Sequence, residues 1–141
     1  MRRLSRLAII IFSCLYLGSC KDQHNEGAVY EEMATVDARF IMVALRSGAL
    51  FAYNPNFNEN VLTTRYSDRV SMAIRPLVGK LPRSCTFAGF AGSVRGYLER
   101  GGSHKAFRLD IDSLSDLRPL HESERQQIRA ISPTISREKI C

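Results

Sequence analysis

The chain of 141 residues carries 20 lysines and arginines against 14 aspartates and glutamates, a formal net charge of +6, with 45% hydrophobic residues and no tryptophan. That length suits one compact domain behind an N-terminal segment and is short for two, and the apolar fraction excludes a polar, unfolded chain. The four cysteines and three histidines are scattered without ligand spacing, so neither a metal nor a cofactor is expected.

Arg2, Arg3 and Arg6 precede an almost unbroken apolar run from Leu7 to Leu17, which ends in Gly18, Ser19 and Cys20. A transmembrane helix needs about twenty apolar residues, and this run is much shorter. A basic start, an apolar middle and a small-residue exit are the layout of a cleaved export signal. Leu17-Gly18-Ser19-Cys20 resembles the lipobox of bacterial lipoproteins. The resemblance implies that residues 1–19 are removed and that Cys20 becomes the first residue of the mature chain. It would carry a thioether-linked diacylglycerol and an acylated amine, palmitate being the usual acyl type. One acyl chain binds a membrane only reversibly, whereas two or three anchor it effectively for good. Lys21 stands where an aspartate often marks inner-membrane retention, so the resemblance implies the outer membrane, facing the periplasm. An unlipidated secretory signal cleaved after the same small residues is the alternative.

Residues 20–27 are polar and read as a tether, leaving 28–141 as a single small periplasmic domain. From Ala28 to Ser47, Val29, Met33, Val36, Phe40, Val43 and Ala44 recur at three- and four-residue steps, which predicts a long N-terminal helix. Glu26, Glu31 and Glu32 near its start and Arg46 near its end would complement the helix dipole, with Gly48 as C-cap. The asparagine-rich stretch 54–60 reads as a loop and Val61–Tyr66 as a strand. Residues 67–77 fit a strand or a helix equally, because Val70, Met72 and Ile74 alternate while Tyr66, Val70, Ile74 and Leu77 form a helical stripe.

Two further strands are predicted, over 93–99 and 105–112, joined by a turn at Arg100-Gly101-Gly102-Ser103. In the second, Phe107, Leu109 and Ile111 should face a core, with Arg108, Asp110 and Asp112 in water. These two strands loosely resemble those of small OB-type barrels. Glu122–Ile131 reads as a short C-terminal helix, with Ser123 and Gln126 at capping-box spacing. The expected fold is therefore α+β: a long N-terminal helix packed on a small antiparallel, OB-like sheet, closed by a short helix.

Cys14 leaves with the signal and Cys20 is taken by lipid, so Cys85 and Cys141 remain as an even pair in an oxidising space. A Cys85–Cys141 disulfide is expected, the alternatives being a free or intermolecular Cys141.

Without the three signal arginines the positive excess falls from +6 to +3, and it is concentrated in residues 65–108, with nine basic and two acidic residues. Arg65, Arg69, Arg95, Arg100 and Arg108, interleaved with Tyr66, Phe87, Phe90, Tyr97 and Phe107, form a candidate basic face. In a cytosolic protein that mixture would suggest single-stranded nucleic acid. Behind a lipoprotein signal the expected partner is not nucleic acid. It is the membrane lipid reached through acylated Cys20, together with an envelope protein or an anionic envelope component. A dispersed, solvated set of arginines covered by acidic neighbours is the competing account.

None of His24, His104 and His121 sits in a catalytic motif, and Gly89-x-x-Gly92 lacks the Lys-Ser/Thr of a phosphate loop. No catalytic residue is assigned. The favoured reading is a non-catalytic binding or assembly-accessory module. A small envelope hydrolase or ligand-binding enzyme, with a site formed only in the fold, is the alternative.

Overall fold

A computed structural model describes residues 32–141. The signal segment, Cys20 and the tether lie outside the described residues. Of the long N-terminal helix nothing is found where it can be seen: Glu32–Leu45 is a fourteen-residue strand, β1. It is followed by β2 (Leu50–Tyr53), β3 (Leu62–Tyr66), helix α1 (Asp68–Gly79), β4 (Phe87–Arg100) and β5 (Ala106–Pro119). Helix α2 (Glu122–Ile131) and the short α3 (Pro133–Ser136) complete the order. With 47% strand and 24% helix, the domain is mostly β rather than α+β.

The strands run β1-β2-β3-β5-β4 and close on themselves as a barrel, since β4 returns to pair with β1. The sheet is mixed: β3 and β5 are parallel and every other pair is antiparallel. A small antiparallel sheet was expected, with strands over 93–99 and 105–112 among its members. Those residues are strands, but they belong to longer ones in a closed, mixed barrel. The longest pairing joins β1 to β4 from Glu32↔Arg100 to Leu45↔Phe87.

Burial on both sides of β1 explains the misread helix. Val36, Phe40, Met42 and Ala44 point into the barrel, where they meet Leu50, Leu62, Val94, Leu98, Leu109 and Ile111. Ile41 and Val43 point outward and are covered by Ile128 of α2, Ile135 of α3 and Ile140. A strand apolar on both faces loses its period of two, and its run of large residues then satisfies a helical stripe by accident. Phe40 and Val43, assigned to one helical face, belong to two different apolar clusters.

The ambiguous residues 67–77 lie in α1, which buries Val70 and Ile74 at 0% and 3% exposure. The connection resolves the ambiguity: β3 and β5 are parallel neighbours, and the chain between β3 and β4 crosses the barrel rather than turning back as a hairpin. Phe107 does not join Leu109 and Ile111 in the core and is 41% exposed. An irregularity opposite Glu99 and Arg100 shifts the register there, pairing Arg100 with Ala106 and Glu99 with Arg108, so the alternation slips by one residue. The C-terminal helix forms over Glu122–Ile131. Its start is held by Glu124, which accepts the His121 N–H at 2.8 Å, rather than by the Ser123–Gln126 pair.

The last residues return to β4. Cys85 and Cys141 form a disulfide with Cα atoms 6.0 Å apart. The Cys141 N–H donates to the Phe87 carbonyl at 2.8 Å, and the Gly89 N–H to the Cys141 carbonyl at 2.7 Å.

Candidate functional site

Because strand side chains alternate, the residues between the barrel-facing ones point outward. Over one end of β1, β4, β5 and β3 these are almost all polar. Register sets them in rows: Met33, Glu99, Arg108 and Thr63 form one, and Thr35, Tyr97, Asp110 and Arg65 the next. Asp37 and Arg95 begin a third. Gly96 lies between, where a side chain would drive a Cβ to 1.9 Å from the Asp110 carbonyl oxygen. A shallow depression of about 200 Å³ opens there beside Tyr97, Arg95, Asp37 and Asp112.

Three of the five arginines expected to form a basic face are on this surface: Arg65 on β3, Arg95 on β4 and Arg108 on β5. Each meets a carboxylate. Arg95 Nε lies 3.2 Å from Asp37, Arg65 Nε 4.0 Å from Asp110, and Arg108 Nε 3.7 Å from Asp110. Arg108 also donates to Glu99. Arg69 is exposed on the first turn of α1, off the strands, and Arg100 is half-buried at the end of β4 opposite Glu32. The face is therefore a lattice of alternating charge, and the acidic residues come from outside the basic segment as well as from within it.

Glu99 and Asp110 are the acidic centre of this lattice, with side chains only 6% and 23% exposed. The hydrogen bond from Arg108 holds the Glu99 carboxyl below the usual carboxylate range. Burial, reinforced by the adjacent Glu99 charge, pushes Asp110 the other way. In the sequence, Asp110 has Asp112 as its acidic neighbour on the polar face of the same strand. Cross-strand pairing substitutes Glu99 for Asp112, a neighbour that only the register reveals. Exposed apolar groups complete the surface, Tyr97 at 47% and Met33 at 50%.

The two histidines among the described residues have local partners. His104 Nδ1 is 3.1 Å from Glu32, with both side chains largely in water, and His121 supports the start of α2. Among the described residues no three His, Cys, Asp or Glu side chains come together as a metal-binding group.

Sequence reasoning gave no weight to Arg46 beyond a helix-end role. Its guanidinium donates to the Leu81 and Pro82 carbonyls at 3.1 and 2.6 Å, fastening the end of β1 to the loop after α1. The turn-forming Ser47-Gly48 that follows was the available signal. Compared with protein-family models, with curated proteins and with solved structures, the chain gives no match.

Proposed function

We propose that this chain is a lipid-anchored envelope protein, non-catalytic, which docks an envelope protein through the outer face of β1, β4, β5 and β3. The observation that carries the docking is the charge lattice itself. Arginines and carboxylates fixed by strand register, with Tyr97 and Met33 standing clear of them, provide an aromatic contact inside an ordered electrostatic pattern. Tyrosine and arginine are the side chains that dominate binding energy at protein interfaces, and fixed alternating charges select a partner by complementarity. A lattice so neutralised suits a partner that also carries both signs, rather than a uniform polyanion. The envelope location is supported by the lipobox-like Leu17-Gly18-Ser19-Cys20 and by the Cys85–Cys141 disulfide, a bond that persists in oxidising compartments.

A photo-crosslinking residue at position 97, used in the native envelope, tests the docking. A discrete protein adduct is expected, lost on charge reversal of Arg95 and Arg108 in a chain that still folds. No adduct, or one indifferent to those charges, would overturn it. The anchor is tested separately by Cys20→Ala, which should move the protein from the membrane to the soluble fraction and abolish palmitate labelling. Retention in the membrane would overturn the lipid attachment.

A further inference from the structure

α1 crosses the turn between β1 and β2 and leaves a cavity of about 400 Å³. Ser71, Ile74, Arg75 and Val78 line it from α1, at helical steps that put them on one face. Arg46 and Ser47 line it from the turn. No carboxylate lines this cavity among the described residues, in contrast to the lattice, where every strand arginine has an acidic neighbour.

We propose that this cavity is a phosphate site. Arg75 is exposed at its rim and supplies a planar guanidinium fork, the geometry that matches phosphate oxygens. Arg46 is already oriented by the Leu81 and Pro82 carbonyls through its Nη2, which leaves further N–H groups to donate. Ser71 adds a hydroxyl one helical turn from Arg75. Ser47 accepts the Ala49 N–H at 3.5 Å and keeps its own proton to give.

The turn is also fixed. Gly48 has a φ of +93°, the left-handed region that glycine enters without cost, and the Tyr66 hydroxyl donates to its carbonyl. The turn donors Arg46 and Ser47 therefore need little ordering when an anion arrives, which lowers the cost of binding. Ile74 and Val78 make the inner wall apolar, room for the organic part of a phosphate ester. The chemistry recognised is the phosphate group, whether in a soluble ester or in a phospholipid headgroup. This inference does not depend on the docking face or on the lipid anchor.

Isothermal titration of the purified full chain with inorganic phosphate and with glycerol 3-phosphate tests the site. Saturable binding is expected, weakened about tenfold by Arg75→Ala and several-fold by Ser71→Ala. Arg137→Ala removes the same charge elsewhere and should leave the affinity as it was. Thermal melts of each variant check the fold, which matters most for Arg46→Ala, where a structural tie is also lost. Flotation of the Cys20→Ala chain, which carries no acyl anchor, with phosphatidylcholine vesicles, with and without phosphatidylglycerol, distinguishes the sources. Vesicle binding that needs phosphatidylglycerol and Arg75 assigns a headgroup, whereas ester binding alone assigns a soluble ligand. No saturable binding in either format, or equal weakening by Arg75→Ala and Arg137→Ala, would overturn the site.

Discussion

Gly96 is the residue on which the closest approach of β4 to β5 depends. A Cβ there would meet not a flexible side chain but the backbone of Asp110 and Ile111, at 1.9 to 3.1 Å. Gly96→Ala should lower stability by about 3 kcal/mol, the upper end for forcing volume into a packed site. Gly102→Ala, with open space around its Cβ, should change it by no more than about 0.5 kcal/mol. Urea midpoints of the two variants make the comparison, and equal midpoints would remove the close-approach argument. At Glu124 the hydrogen bonds from Arg118, at 2.7 and 3.0 Å, bring the carboxyl down from 4.5 to about 2. A depressed folded pKa contributes stability that is complete above the unfolded value and disappears as pH falls through the folded one. Wild type should therefore lose this contribution between about pH 4.5 and about pH 2, and Glu124→Gln should flatten the curve across that window. Parallel wild-type and variant curves in acid denaturation would show that the pair contributes nothing.

At the scale of elements, what was legible depended on whether an element has one buried face or two. β5 was legible near Leu109 because polar Arg108 and Asp110 alternate with it, and α2 because its buried Ile128 stands among polar neighbours. β1 was misread because Ile41 and Val43 are buried along with Phe40 and Met42, a fact that lies in α2 and α3 and not in β1's own sequence. The C-terminal segment shows long-range dependence of another kind. Its backbone pairs with the start of β4 through Ile140 and Cys141, and the disulfide spans a sequence separation of 56. On chain-entropy grounds a loop of that length is stabilised by about 4 kcal/mol. The double variant Cys85→Ser, Cys141→Ser should lose about that amount in urea unfolding. Peptide mapping of unreduced protein should recover the two cysteines linked. A variant as stable as wild type would assign the tail's attachment to its backbone hydrogen bonds instead.

For the molecule as a whole, the candidate site was half legible. The sequence shows that positive charge gathers in residues 65–108, but not that Asp37 of β1 and Asp110 and Glu99 of the central strands lie across from Arg65, Arg95 and Arg108. Neutralisation is a property of register, and register between distant strands has no local signal. Arg46 and Arg75 were not brought together for the same reason, since they line one cavity only where α1 crosses the first turn. The β1–β4 pairing has a kinetic consequence as well. The first strand finds its long partner only after β2, β3 and α1 have been made, and the barrel cannot close until that remote pairing is in register. The β4–β5 pairing is local and the β1–β4 pairing remote, so closure of the barrel is expected to set the folding rate. Until closure, the strand that becomes β1 stays apolar on both sides and uncovered, so the expected slow step is also the one most exposed to aggregation.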